Sequence, residues 1–212
     1  TVDPTVGNIS NIATLYSNPM WDPGDPEGLG TGVLVNLVNG QTRRLPFQGP
    51  ECVAGCFAKD RMGVIVTGED RSDGSRPLYL IDLKTGVNRR LGGDTYSKGT
   101  AMMPCLSPDG KRCAANYSDP SGKLTDFQVL IFDLATGQAM PLGKPFEGGL
   151  PSWISDSRLI VTRRPDDKDR VRLAEVCSMD MNGTITLLFR GSSAKAIPQR
   201  KSIIFQNARD EW

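Results

Sequence analysis

Carboxylates are grouped in four polar segments of the chain, and they are the first residues to consider for chemistry. The segments contain Asp22, Asp25 and Glu27; Glu69, Asp70 and Asp73; Asp119 and Asp126; and Asp166, Asp167 and Asp169. Carboxylate oxygens are the ligands that a hard cation such as calcium prefers. None of the segments has the spacing of a defined calcium loop, and connecting segments are commonly polar because they are solvated. We therefore predict no metal and no cofactor.

Aromatic residues stand close to these acidic segments in the sequence. They are Trp21, Tyr96 and Phe127, although Phe127 could simply begin a strand. Exposed aromatic side chains often anchor protein interfaces, which makes a contact surface for a partner the alternative to metal binding. The predicted partner-binding residues are Trp21, Asp70, Tyr96, Asp119 and Asp167.

The composition excludes several classes of function. Histidine is absent, which argues against Ser-His-Asp catalysis, Cys-His catalysis and a His-ligated metal. The sequence also lacks the Gly-x-Ser-x-Gly nucleophile elbow of peptidase-type hydrolases. The 25 Lys and Arg residues nearly balance the 24 Asp and Glu residues, so nothing favours nucleic acid as a partner. Because no run of about 18 apolar residues occurs, no membrane span is predicted.

A phrase of an aliphatic strand, a polar turn ending in Gly, and a second short strand occurs four times. The four turns end at Gly40, Gly86, Gly137 and Gly183, which are separated by 46, 51 and 46 residues. Repeats of about 40–50 residues that are made of short strands are typical of radial β-architectures.

A second phrase precedes each copy and consists of an apolar anchor, a polar turn and an apolar strand. The four anchors are Phe57, Leu106, Trp153 and Ile197, and we expect them to pack between neighbouring sheets. Together the two phrases give four strands per repeat, which predicts an all-β fold, a β-propeller of four-stranded antiparallel blades. The single domain of residues 1–212 would contain repeats at about 5–48, 52–93, 101–145 and 149–190, with a partial repeat at 194–212.

The two ends of the chain do not complete a ring neatly. The first strand of the first repeat, near Thr5, is weak, and the last repeat supplies only two strands. The four to five visible blades therefore belong either to a larger propeller or to a distorted closed ring, and the sequence favours the former.

The cysteines and paired arginines each have two interpretations. Cys105 and Cys113 flank a tight turn and could form a disulfide, but burial as small apolar residues is the simpler interpretation. Arg43–Arg44, Arg89–Arg90 and Arg190 lie on the predicted outermost strands. They could form a basic rim for an acidic partner, yet charge on an edge strand also discourages edge-to-edge pairing, which we favour.

The segment Pro104-Cys-Leu-Ser-Pro-Asp-Gly-Lys-Arg resembles the repeat signature of TolB-like propellers, within the wider WD-type class of β-propeller repeats. Pro151-Ser-Trp-Ile-Ser-Asp-Ser-Arg resembles the same signature with Gly replaced by Ser. The resemblance implies a propeller that is periplasmic or extracellular. Such repeats occur in interaction scaffolds, in lid domains of peptidases and in enzymes that act on polysaccharides.

The sequence as a whole predicts a non-catalytic scaffold that binds a protein or peptide partner. The surface would be the loop face, which we define as the side carrying the segments at 22–27, 69–73, 119–126 and 166–169. Two alternatives remain open: a substrate-gating propeller of a larger peptidase-type hydrolase, and a carbohydrate-binding or carbohydrate-cleaving propeller.

Overall fold

The computed structural model describes residues 33–35, 41–44, 52–59, 63–68, 73–96, 98–120, 126–164, 174–197 and 202–207. Every regular element in these ranges is a β-strand. The described residues include no helix long and apolar enough to cross a membrane.

Fourteen strands follow one another along the described chain. Their bounds are β1 Val33–Val35, β2 Thr42–Arg44, β3 Cys52–Phe57, β4 Gly63–Gly68, β5 Leu78–Asp82, β6 Asn88–Arg90, β7 Thr100–Leu106, β8 Arg112–Ser118, β9 Asp126–Asp133, β10 Ala139–Ser155, β11 Arg158–Arg163, β12 Glu175–Asp180, β13 Ile185–Ile197 and β14 Ser202–Asn207.

All ladders between these strands are antiparallel and join neighbours in sequence. Strands β1 and β2 form a pair, β3–β6 form a four-stranded sheet, and β7–β14 form one continuous eight-stranded sheet. In β10, residues 139–147 pair with β9, whereas residues 148–155 pair with β11. Similarly, β13 pairs with β12 up to residue 190 and with β14 from residue 191.

The changes of partner within β10 and β13 divide the eight-stranded sheet into units. We refer to β3–β6 as sheet 1, to β7–β9 with residues 139–147 as sheet 2, and to residues 148–155, β11, β12 and residues 185–190 as sheet 3. The first strands of successive units are then β3, β7, residues 148–155 and residues 191–197.

In sheets 1, 2 and 3 the polar turn before the outermost strand is closed by an aspartate. The carboxylate of Asp82 accepts backbone N–H groups of Lys84 and Thr85, both at 2.8 Å. The carboxylates of Asp133 and Asp180 accept equivalent hydrogen bonds. These bonds hold the pKa of each aspartate below its ordinary value, because they stabilise the ionised form. The first repeated phrase is therefore an Asx-type turn.

The turn between β7 and β8 explains the second repeated phrase. The Ser107 hydroxyl donates to the Asp109 carboxylate at 2.6 Å, and Gly110 takes a left-handed conformation with φ 77°. The turn is also joined to its neighbours, since Lys59 Nζ donates to the Asp109 carbonyl at 3.1 Å and the Asp109 N–H donates to the Asp156 carboxylate at 2.8 Å. Successive units are thus linked turn to turn.

Apolar clusters fill the spaces between the units. One joins sheet 1 to sheet 2 through residues that include Ile65, Leu78 and Phe132, and another joins sheet 2 to sheet 3 through Ile131 and Met179. Smaller clusters lie on sheet 1 and on the strands around β14. Face-to-face burial between successive sheets is the packing that the repeat predicted.

The predicted anchor residues occupy different environments. Trp153 is only 2% exposed in the cluster between sheets 2 and 3, and Leu106 packs against the cluster between sheets 1 and 2, as expected for both. Phe57 packs on the cluster of its own sheet. Ile197 is half-buried at the end of β13.

The four cysteines whose side chains are described, Cys56, Cys105, Cys113 and Cys177, lie in or pack against the apolar clusters. Cys105 and Cys113 are both free thiols, so the disulfide considered between them does not form. The ladder pairs Cys105 with Ala114 and Cys113 with Leu106, and the two thiols belong to clusters on opposite sides of sheet 2. Burial raises the pKa of both thiols, as it does that of Cys177.

Arg89 and Arg90 on β6 make specific contacts. The Arg89 guanidinium donates to the carbonyls of Leu134 and Ala135 in the turn of sheet 2, at 2.9 Å for Ala135. Arg90 Nη2 donates to the Ser75 hydroxyl at 3.1 Å. Arg89 therefore links sheet 1 to sheet 2, whereas Arg90 is bound within its own unit, and β6 is an edge strand of sheet 1.

Candidate binding surface on the first strands

The ladder of every first strand contains an irregularity near its beginning. Register shifts separate Cys52 from Ala54, Met102 from Cys105, Gly149 from Ser152, and Ser192 from Lys195. Bulges of this kind re-aim side chains and are frequent next to functional sites. The residues inside them are therefore candidates for binding.

Met103 and Leu150 are the residues that the second and third bulges expose. Their φ angles are 53° and 56°, and they are the non-glycine residues with positive φ in the described part of the chain. Met103 is 51% exposed and Leu150 is 41% exposed. A left-handed conformation is unfavourable for a side chain with a Cβ atom, and a following proline restricts the backbone further. Two large apolar side chains are thus held in solvent at an energetic cost.

The backbone before Leu150 is fixed by two glycines in close contact with neighbouring strands. A Cβ atom at Gly148 would lie 2.1 Å from the Thr162 carbonyl, and one at Gly149 would lie 2.0 Å from Asn116 Nδ2. Both glycines have strongly positive φ angles, 140° and 148°. Because only glycine fits at these positions, the path of the chain into Leu150 is sharply defined.

Hydrogen bonds hold the successive first strands beside one another. Trp153 Nε1 donates to the Cys105 carbonyl at 3.0 Å, and the Ala196 N–H donates to the Ser152 hydroxyl at 3.0 Å. On the other side, the Thr67 hydroxyl donates to the Ala101 carbonyl at 2.9 Å. The Trp153–Cys105 bond therefore joins the strands of Leu150 and Met103 just beyond their two bulges.

Lys195 lies on the first strand of the next unit. It directly follows the buried Ala194 and pairs with Ile204 beyond the bulge, and its side chain is exposed. Met103 and Leu150 lie within their bulges, and the two residues form what we call the first-strand cluster.

The rim beside the cluster contains two ion pairs. Arg163 and Glu175 are joined at 2.6 Å across β11 and β12, and Arg164 Nη1 lies 3.4 Å from Glu147 Oε1. Met103 and Leu150 stand close to this rim, since Thr100 pairs with Ser118 and Gly148 with Arg163 at the strand ends. Ser118 directly precedes the segment at 119–126, which is part of the loop face. The cluster therefore lies near the loop face.

Two of the predicted partner-binding residues lie in the described ranges. Tyr96 is half-buried, with its ring edge-on to Tyr117 at 5.3 Å between centroids, and Asp119 is exposed. The pKa of the Tyr117 hydroxyl is raised first by burial, then by the negative charge of Asp119 and then by Tyr96. The structure therefore brings Tyr96 and Asp119 together around Tyr117. Trp21, Asp70 and Asp167 lie outside the described residues.

Metal binding by the acidic segments finds no support among the described residues, where no group of three or more potential ligands converges. Asp73 instead accepts the Ser75 N–H at 2.9 Å. Most of the other acidic residues of these segments lie outside the described ranges.

Sequence reasoning missed Met103 and Leu150. The available signal was their equivalent placement, since each directly precedes the proline of the repeat signature and each is a large apolar residue. Apolar residues in a strand are ordinarily assigned to the core. The exposure of these two follows from the bulges, which a strand pattern does not reveal.

Comparison with known proteins relates the chain to propellers at the level of structure. No protein-family model and no curated protein sequence matches the chain. The structure is similar to a putative TolB from Agrobacterium tumefaciens, with a TM-score of 0.63 and 18% identity over 87% of this chain and 69% of that one.

Two further solved structures illustrate the range of similar proteins. TolB from Acinetobacter baumannii matches with a TM-score of 0.58 and 22% identity over 76% of this chain. The tricorn protease matches with a TM-score of 0.61 and 10% identity over 82% of this chain. The chain spans 38% of the length of the Acinetobacter protein and 22% of the length of the tricorn protease. Together with the antiparallel sheets, these similarities show that the chain has a TolB-like β-propeller fold.

Proposed function

We propose that this chain is a non-catalytic β-propeller scaffold that binds a protein or peptide partner on its loop face. The observation that carries the proposal is the exposure of Met103 and Leu150 in strained conformations on neighbouring first strands. Strained residues that the surrounding structure holds in place are concentrated at ligand-binding sites. Exposed apolar side chains on a rigid surface supply binding free energy when a partner covers them.

The units around this surface would be blades. Sheet 1 has four strands, and the ladders of sheets 2 and 3 each run over four strand segments before the chain enters the next unit. We propose that each is one propeller blade and that residues 191–207 begin a further one. The first strands would then surround the axis of the propeller, where the partner would dock.

Selection from a displayed library of random peptides tests the proposal with the full chain as bait. The enriched peptides are then synthesised, and their Kd is measured for the parent protein and for the double variant Met103→Ser/Leu150→Ser. The matched control is Met140→Ser/Leu188→Ser, which removes a methionine and a leucine of similar exposure, 58% and 44%, from other parts of the surface.

The expected result is a set of peptides whose affinity falls at least about tenfold in the first double variant and stays unchanged in the control. Circular dichroism of both variants verifies that they remain folded. Enrichment of no peptide beyond a blank surface would overturn the proposal. Equal binding of the enriched peptides to both double variants would also overturn it.

The second candidate function is a substrate-gating propeller of a larger peptidase. The similarity to the tricorn protease, of which the chain spans a fraction, favours it. In that case a hydrolase segment would be encoded in the same gene, and the protein isolated from its source would be larger than 23.0 kDa. The coding sequence of the whole gene therefore discriminates the two functions, because a hydrolase segment beside the propeller favours the second and its absence favours the first.

A further inference from the structure

Two thiols from neighbouring units lie in the same buried space. Cys56 on β3 packs against the apolar cluster between sheets 1 and 2, and Cys113 on β8 is a fully buried member of that cluster. Successive residues of a strand face opposite sides of a sheet. Accordingly, Phe57 packs on the far side of sheet 1, and Ala114 lies in the cluster between sheets 2 and 3. The alternation therefore directs both thiols into the space between sheets 1 and 2.

A close contact between the two units sets the level of the thiols. A Cβ atom added to Gly110 would lie 2.4 Å from the Lys59 Cβ atom, so these two residues stand side by side at the turns. Cys56 lies three residues before Lys59, and β3 leads from it toward this contact. Cys113 lies three residues after Gly110, and β8 leads away from the contact. The two thiols are therefore displaced from one shared contact by the same number of residues and in the same direction.

Further hydrogen bonds support this placement. Toward the other end of the strands, the Thr67 hydroxyl donates to the Ala101 carbonyl at 2.9 Å, so the two sheets are joined on both sides of the thiols. The pKa of the Cys113 thiol is raised first by burial and next by its hydrogen bond to the Cys56 side chain. The two side chains are thus in direct contact. Cys56 is half-buried, whereas Cys113 is fully buried, so a reagent in solution reaches Cys56 first.

We propose that Cys56 and Cys113 are oxidised to a disulfide that joins sheet 1 to sheet 2. The oxidant is a low-molecular-weight disulfide such as oxidised glutathione. The Cys56 thiol gives its proton to solvent, and its sulfur attacks one sulfur of the oxidant and expels a thiolate. Cys113 then gives its proton to solvent, and its sulfur attacks the Cys56 sulfur of this mixed disulfide and expels the second thiolate. The protein loses two electrons and two protons, and these reduce the oxidant to two thiols.

The bond makes the connection between the two units depend on the redox state of the surroundings. Disulfides persist in oxidising compartments and are reduced in the cytosol. A crosslink between residues 56 and 113 closes a long loop and lowers the entropy of the unfolded chain, so the oxidised protein is the more stable form. This inference is independent of the proposed function, because neither thiol belongs to the first-strand cluster.

The test treats the full chain with oxidised glutathione, blocks the remaining thiols and digests the protein with trypsin without reduction. Cys56 lies in the tryptic peptide of residues 45–59, and Cys113 lies in that of residues 113–123. We expect mass spectrometry to find these two peptides joined. Titration of the denatured protein should find two fewer thiols than the five of the reduced chain, and dithiothreitol should restore them.

Alanine variants separate the two steps of the reaction. Cys113→Ala should stop at the mixed disulfide and keep one glutathione on Cys56. Cys56→Ala should react at Cys113 at least about tenfold more slowly, because that thiol is buried and retains its proton. Cys52→Ala is the matched control, since Cys52 lies in the same tryptic peptide as Cys56, and it should form the crosslink as the parent does.

Thermal unfolding measures the effect of the bond on the fold. The oxidised parent and the oxidised control variant should melt about 5–10 °C above their reduced forms. Cys56→Ala and Cys113→Ala should melt at the same temperature before and after the treatment. Equal melting temperatures of the crosslinked and reduced parent would show that the bond does not stabilise the contact between the sheets.

Three results would overturn the assignment of the pair. The first is a crosslink from residues 45–59 to residues 99–111, which contain Cys105. The second is a crosslink that persists in Cys56→Ala. The third is recovery of all five thiols from the folded protein under conditions that oxidise the same chain in urea. Each of these leaves the proposed binding of a partner at Met103 and Leu150 untouched, so the two proposals fail separately.

Discussion

Met103 and Leu150 adopt the same left-handed conformation, with φ 53° and 56°, at positions 47 residues apart on neighbouring first strands. One such residue would be an isolated irregularity. Two at equivalent positions of consecutive repeats, each followed by proline and each exposed, indicate a property of the repeat. The non-glycine residues with left-handed backbone in the described part of the chain thus lie on the surface to which we assign binding, which is the relationship expected when stability is given up for function.

The first prediction follows from this strain. Met103→Gly and Leu150→Gly should each stabilise the protein by about 1 kcal/mol, because glycine removes a left-handed penalty of about 1–2 kcal/mol and loses part of that gain to its larger unfolded-state entropy. The melting temperature should rise by about 2–4 °C for each substitution. Thermal unfolding followed by circular dichroism measures the change.

The same glycine variants should bind the selected peptides more weakly, since the apolar side chains are lost. Met140→Gly is the control, because Met140 is exposed but does not have a positive φ. It should destabilise β10 by about 1 kcal/mol or less. If Met103→Gly and Met140→Gly destabilise the protein equally, the left-handed conformation assigned to Met103 is wrong.

The sequence predicted the all-β repeat but did not indicate the two exposed apolar residues of the first strands. Glycines such as Gly137 and aspartates such as Asp133 recur because each turn needs a particular backbone conformation, and that requirement is local. The bulges at Met103 and Leu150 depend on packing between units, including the contact of Gly149 with Asn116. Contacts between distant segments leave no pattern in the neighbouring residues, so periodicity did not indicate Met103 and Leu150, and the loop residues chosen for their carboxylates and aromatic rings stay a prediction.

The second prediction concerns the turn of the repeat signature. Gly110→Val should destabilise the protein by about 3 kcal/mol, because valine at φ 77° is strained and its Cβ atom would lie 2.4 Å from the Lys59 Cβ atom. The control is Gly74→Val, where φ is 70° and the Cβ atom would have open space around it. This variant should lose only about 1–2 kcal/mol. Denaturant unfolding gives both values, and equal losses would show that Lys59 does not approach Gly110.

The third prediction concerns Trp153, which connects two units by three interactions. Its ring is buried between sheets 2 and 3, its Nε1 atom donates to the Cys105 carbonyl, and the Arg112 guanidinium carbon lies 5.2 Å from the ring centroid. Trp153→Phe keeps an aromatic ring but removes the hydrogen bond and reduces the buried area. We expect a loss of about 2 kcal/mol from these effects together.

A double-mutant cycle separates the contribution of Arg112. Arg112→Met should destabilise the parent more than it destabilises Trp153→Phe, because the cation–π interaction is weaker with a phenylalanine ring. Urea unfolding of the four proteins gives the coupling free energy. If the effects of the two substitutions add within experimental error, Arg112 and Trp153 do not interact.

The last prediction concerns pH and rests on the turn aspartates. The pKa values of Asp82, Asp133 and Asp180 are lowered, chiefly by backbone hydrogen bonds to their carboxylates. A group whose folded-state pKa is depressed contributes stability above its unfolded pKa of about 3.9, and that stability is lost as the pH falls through the folded value. The melting temperature should therefore decline as the pH falls below about 4.

Asp133→Asn tests the assignment of this decline to the turns. Asparagine keeps an acceptor oxygen but carries no charge, so the variant should be less stable than the parent at pH 7 and should lose less stability on acidification. Asp94→Asn is the control, since Asp94 is exposed and lies outside the three turns. Melting temperatures of the three proteins between about pH 2 and pH 7 give the comparison. If the difference in melting temperature between the parent and Asp133→Asn does not shrink as the pH falls from 7 to about 2, the hydrogen bonds to the charged carboxylate are not the source of the acid sensitivity.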